Sequence, residues 1–163
     1  MATFEHAEIR GPWTAAMIET YLDSSKIPLR IAVSRTLGPP IVLSVWFMRS
    51  GDELVGATRP TSTLIKCLER NPECGFEVAS DTPPYRGVRG SAGVLLDREK
   101  GSEVLDHLLI RYLGSTETPL SEKLRMASKD EVAFRLQPSL LVSWDYSDRM
   151  ATSLGHSTPA TKH

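Results

Sequence analysis

A chain of 163 residues with a net charge of −1 favours one domain with its own core, and offers no general field to draw nucleic acid or an anionic membrane surface. No apolar run is long enough to span a bilayer, and two cysteines, Cys67 and Cys74, are too few for a disulfide framework and form no CxxC pair. The opening Met-Ala-Thr-Phe-Glu-His has no basic segment followed by an apolar one, so reduced thiols and a cytoplasmic setting are expected.

The first element is a helix over about 12–23, where Met17, Ile18, Tyr21 and Leu22 form an apolar stripe and Thr14 is placed to cap it. Lys26 to Arg35 alternates, with Leu29, Ile31 and Val33 on one side, as a half-buried strand does. After the Leu-Gly-Pro-Pro turn, Ile41 to Met48 is apolar except for Ser44, which predicts a strand buried on both faces. Ser50-Gly51-Asp52 turns the chain into a third strand, Glu53 to Thr58, so that these pieces form an antiparallel meander.

The stretch from Thr58 to Pro72 carries the clearest functional signal. Pro60 ends the strand, and Thr61 or Ser62 can cap a helix whose Leu64, Cys67 and Leu68 share one face. Asn71-Pro72 stops it. No Asp or Glu occurs from Thr58 until Glu69, leaving Arg59 with the hydroxyls of Thr61, Ser62 and Thr63. Free N–H groups, hydroxyls and a guanidinium suit a phosphate; a Thr/Ser-rich cap that binds only water has the same composition.

Glu73 to Ser80 reads as a strand, 81–86 as a loop, and Gly87 to Leu96 as a long strand in which Gly90 and Gly93 mark a bend or a close backbone approach. Asp97 to Leu113 is the clearest helix, with Val104, Leu105, Leu108, Leu109 and Tyr112 at helical spacing and Gly114 closing it. A short helix follows from Thr118-Pro119 through Ala127. Two strands, 132–136 and 140–146, joined at Gln137-Pro138, end the domain. The expected arrangement is one domain over 1–147 and a loose tail over 148–163. The order β-β-β-α-β-β-α-α-β-β predicts a mainly β (α+β) fold, a six- to seven-stranded antiparallel Greek-key barrel with peripheral helices. The aromatics sit inside strand patterns and no basic stripe exists, which argues against nucleic-acid binding.

Three stretches, Ile41 to Pro72, Pro83-Pro84-Tyr85-Arg86-Gly87-Val88-Arg89-Gly90-Ser91-Ala92 and Ser143-Trp144-Asp145-Tyr146, resemble the pyridoxamine 5′-phosphate oxidase-like, FMN-binding split-barrel family over roughly 25–147. Thr58, Ser62 and Asn71-Pro72 match the family spacing without a gap, and the Pro-Tyr-Arg-Gly-Val loop and terminal Trp-Asp resemble its uncharacterised branch. The resemblance implies a homodimer with two flavin sites at the subunit interface and a small-molecule substrate. It implies that Thr58 and Ser62, with neighbours Arg59 and Thr63, hold the FMN phosphate. It further implies that the backbone of Val45, Trp46 and Phe47 runs along the isoalloxazine, and that Trp144 approaches from the partner. Deazaflavin F420 or haem are alternative cofactors, and a non-catalytic or cofactor-free dimeric barrel is the alternative function. Without the resemblance, Trp46 and Trp144 read as core or dimer packing.

Two departures are visible. Leu64 stands where the family has a phosphate-binding Lys, and Lys66 lies about 200° around the helix from it at 3.6 residues per turn, so Arg59 is the replacement charge. Val42 and Phe47 stand where true pyridoxamine-phosphate oxidases have Arg and Lys, so that activity is not expected. The implied chemistry is hydride transfer at the flavin with no metal; no catalytic side chain is assigned, and Arg89 is a secondary candidate for contact with cofactor or substrate.

Overall fold

β3 (Ile41–Val45) and β4 (Met48–Ser50) are two halves of one run of chain, yet they lie at opposite ends of an eight-stranded sheet in the computed structural model. The structure describes residues 4–127 and 130–154. Between those ends lie β2 (Leu29–Val33), β6 (Glu73–Ala79), β7 (Arg86–Asp97), β8 (Val132–Asp145) and β5 (Glu53–Thr58), in the order β3-β2-β6-β7-β8-β5-β4. Every neighbouring pair along this path is antiparallel. Because β3 and β4 are joined through only Trp46 and Phe47, the sheet curls until its ends meet, and the result is a split barrel.

The junction is where the sequence reading of Ile41 to Met48 fails. Val45 pairs with Leu29 of β2, whereas Met48 pairs with Val55 of β5, so the strand changes partners between them. Phe47 turns inward at the break and is fully buried. β3 itself is not buried on both faces: Val42 is 62% exposed on the outside of the sheet. A continuous apolar run cannot say which side of a strand is covered.

The closing pair of predicted strands is one strand, β8. Pro138 lies opposite Ala92, Leu140 opposite Ser91, and Ser139 is left as a bulge between them. Proline lacks an N–H for the ladder, and a bulge is one of the few places inside a sheet that tolerates it. β1 (Glu8–Arg10), which the sequence pattern did not show, runs parallel to β8 opposite Leu140, Leu141 and Val142.

The barrel is filled by the alternating inner residues of its strands, among them Leu29, Ile31, Leu54, Phe76, Val88, Phe134 and Leu136. Fully burying such a side chain contributes about 1.5–3 kcal/mol. α1 (Ala15–Ser24) starts at Thr14, whose hydroxyl accepts from the Met17 N–H at 3.3 Å, and it buries Ile18 and Leu22. Met17, placed on the same stripe by spacing, is 49% exposed.

α3 (Gly101–Leu113) begins four residues later than expected, because the Asp97 carboxylate accepts from the N–H groups of Glu99 (2.9 Å) and Lys100 (3.0 Å) and holds a turn there. Gly114 closes α3 with φ of 80°. α4 (Pro119–Ala127) follows as predicted. The chain continues as α5 (Ser147–Leu154), and the rest of the expected tail, residues 155–163, lies outside the described residues. No helix among the described residues is long and apolar enough to cross a membrane.

Candidate functional site

The change of strand partner leaves two open edges. β4 and β5 stay paired only as far as Met48 and Val55. Beyond that point β5 continues to Ala57 and Thr58, paired with β8 on one side alone, while β3 has turned away to β2. Ser44, Val45 and Trp46 line one side of the resulting groove and Ala57 and Thr58 the other. Strand edges of this kind present backbone N–H and C=O groups with no ladder partner. The groove measures about 720 Å³, within the roughly 300–1,000 Å³ of ligand pockets.

Its polar end is the loop that follows β5. Arg59 is exposed there, and its carbonyl accepts from the Ser62 N–H at 3.0 Å, which folds the loop back so that Thr61 and Ser62 face the groove. Ser62 caps α2 (Thr63–Leu68) by accepting from the Ile65 N–H at 3.2 Å. That bond uses the hydroxyl oxygen as acceptor and leaves the O–H free to donate. With six residues, α2 is too short to add much of a dipole, so Arg59 and the hydroxyls carry the attraction for an anion. Leu64 is 2% exposed and belongs to the core, which explains why no cation stands at that position.

Five of the eight predicted binding residues meet in this groove: Val45, Trp46, Thr58, Arg59 and Ser62. The Trp46 ring stacks on Tyr112 of α3, with centroids 4.8 Å apart and planes within 5°. The Tyr112 hydroxyl in turn accepts from the Phe47 N–H at 3.3 Å, which ties the junction to α3.

The other three predicted residues do not line the groove. Phe47, expected to contribute only its backbone, has its ring in the core. Thr63 is exposed at the start of α2 and does not line the groove. Trp144 sits opposite Gly87 near the far end of β8, twelve residues beyond the Val132 that pairs with Thr58, a path on the order of 40 Å at ~3.3 Å per residue. Its indole N–H is buried without a hydrogen-bond partner among the described residues. Arg89 is also remote, on the outer face of the sheet opposite Glu77 and Val142.

Two contributors were missed by sequence reasoning. Glu131, 6% exposed, lines the groove, so the corner that looked free of acid between Thr58 and Glu69 is not acid-free in space. Leu105 and Leu108 from α3 and Leu120 and Leu124 from α4 form an apolar wall. Their helical spacing was legible, but it reads identically for a core face and a groove wall.

No protein-family model matches this chain, and no curated protein matches it. Solved structures do. A conserved hypothetical protein, Rv2991 from Mycobacterium tuberculosis, superposes with a TM-score of 0.70 at 21% identity, covering 93% of this chain and 94% of that one. An F420 reductase matches at a TM-score of 0.59 and 22% identity, over 76% of this chain and 94% of its own. A FAD-binding protein from Mesorhizobium loti matches at 0.56 and 18%, over 80% and 91%. Likeness at such identities is likeness of fold: the chain shares with these proteins a curled antiparallel sheet, closed into a split barrel and flanked by helices.

Proposed function

We propose that the groove at the strand split binds FMN and that the protein is a flavin-dependent oxidoreductase. The observation that carries this reading is the coincidence, in one cavity, of two open strand edges with Arg59 and the Thr58, Thr61 and Ser62 hydroxyls at one end. Arg59 and the hydroxyls would take the phosphate, and the edge at Ser44 to Trp46 would offer hydrogen bonds to the polar rim of the ring system. FMN supplies hydride and electron transfer when bound; the protein's part is orientation and exclusion of water. Structural likeness to an F420 reductase and a FAD-binding protein supports a flavin-type ligand on this fold.

Haem suits the groove poorly. Among the described residues that line it there is no His, Cys, Met or Tyr, the side chains that hold haem iron, and His107 lies exposed outside it. The homodimer belongs to the same reading: a second copy would be needed to bring a Trp144 to the flavin, since the chain's own is far along β8.

Arg59→Ala is expected to weaken FMN binding about tenfold to a hundredfold, the loss of a charge-assisted hydrogen bond worth about 1.5–3 kcal/mol. Lys66→Ala, on the exposed side of α2, is expected to change it little. Equal or reversed effects in a fluorescence titration would place the phosphate elsewhere.

A further inference from the structure

We propose that Tyr112, which does not itself line the groove, is a positioning residue for the groove's ligand, because it fixes the peptide unit between Trp46 and Phe47 at the end of the β3 lip. The inference rests on the flavin reading for the identity of that ligand. Its own ground is the geometry around Tyr112, on a helix stripe that reads in sequence as core alone.

A peptide unit is planar, so the Trp46 carbonyl and the Phe47 N–H move as one body. Tyr112 holds this body at the N–H, whose hydrogen bond its hydroxyl oxygen accepts at 3.3 Å. The carbonyl lies against Gly56 of β5, where a Cβ would come within 2.6 Å of the Trp46 oxygen. Only a residue without a side chain admits that approach. The Trp46 ring is a third hold, stacked on the Tyr112 ring with centroids 4.8 Å apart. Tyr112 is anchored in turn. It packs against the cluster of Val55, Val104, Leu108 and Ala133. The Arg111 guanidinium, bonded to the carbonyls of Leu22 and Asp23, lies 5.9 Å from the centre of its ring.

The hold matters because Trp46 and Phe47 fall between two ladders. Val45 is paired with Leu29 of β2, and pairing with β5 resumes only at Met48. Elsewhere in the sheet the ladder sets the backbone; at this break the side chain of Tyr112 takes that part. Val45 and Trp46 line the groove immediately before the fixed peptide, so a tilt of its plane re-aims the groups they offer to a ligand. Binding groups work when held within about 0.5 Å of their productive geometry, and a residue that touches no ligand can set that position.

Three variants of the full chain test this. Tyr112→Phe keeps the ring and removes the hydroxyl, and Tyr112→Leu removes both the stack and the hydrogen bond. Val104→Ala loosens the same cluster and leaves the contacts among Tyr112, Trp46 and Phe47 in place. FMN affinity is expected to fall about two- to tenfold in Tyr112→Phe, the loss of one hydrogen bond, and further in Tyr112→Leu. Val104→Ala is expected to bind FMN as the wild type does, even where it unfolds as readily as Tyr112→Phe. In the ligand-free chains, hydrogen exchange at the Trp46 and Phe47 amides should quicken in both Tyr112 variants and not in Val104→Ala. Wild-type affinity in both Tyr112 variants overturns the proposal. So does an equal loss of affinity in Val104→Ala at matched stability, since Tyr112 would then serve only the fold. If the wild type binds no FMN, the flavin reading falls and exchange at the two amides decides this one: faster exchange in the Tyr112 variants alone upholds it, and unchanged exchange overturns it.

Discussion

Gly90 and Gly93 lie three residues apart on β7 and differ in what surrounds them. A Cβ on Gly90 would collide with the Leu140 carbonyl oxygen and press on the Phe76 ring, whereas one on Gly93 meets nothing within 4 Å. Gly90→Ala is therefore expected to destabilise the protein by about 1–3 kcal/mol, and Gly93→Ala to stay within about 0.5 kcal/mol of the wild type, in urea unfolding. The same scale holds the clearest pH effect. Burial pushes the Cys74 thiol from 9.0 up to about 12. The unfolded chain loses this proton from about pH 9, while the folded chain keeps it to about 12, so the folded state binds more protons in that window. Its contribution is complete below pH 9 and declines by about 1.4 kcal/mol per pH unit above it. Unfolding free energies measured from pH 8 to 11 should fall more gently in Cys74→Ala than in the wild type. Ser62 as a cap and Arg59 as a loop cation were legible because both act within a few residues of sequence. Glu131 was not, since its place in the same groove depends on β5 pairing with β8.

At the scale of elements, Arg111 ties α1 to α3. Its guanidinium donates to the carbonyls of Leu22 (2.8 Å), Asp23 (2.9 Å) and Ser25, which close the C-terminus of α1, and lies 5.5 Å from the centre of the Phe47 ring. Cations satisfy helix C-terminal carbonyls and complement the dipole there. Arg111→Met keeps most of the apolar stem but abandons those carbonyls, and should cost about 2–3 kcal/mol in thermal or denaturant unfolding. Arg49 adds a second tie by gripping Asp23 with two hydrogen bonds, 2.9 and 2.6 Å. Neither tie has a signature in hydropathy. Strands and helices that advertise themselves by period, β2, β5, β6, α3 and α4, emerged within a few residues of expectation. Differences arise where one strand changes partner, at Trp46-Phe47, where one strand absorbs a proline, at Pro138, and where the short β1 joins β8. Partner choice is a long-range property, and local pattern does not encode it.

For the whole molecule, the split and the groove are one feature. A barrel closed by an unbroken β3–β4 strand would pair Val45 and Trp46 with β5 and leave no open edge for a ligand. The break places unpaired backbone beside Arg59, and α3 and α4 roof the space with leucines. Hydrogen–deuterium exchange of the full chain with and without excess FMN tests this most directly. Bound FMN should slow exchange at residues 44–46 and 57–62, the two lips of the groove, and leave the outer sheet face around 89–91 unchanged. Protection confined to that outer face, or no protection at either lip under saturating FMN, would contradict the account.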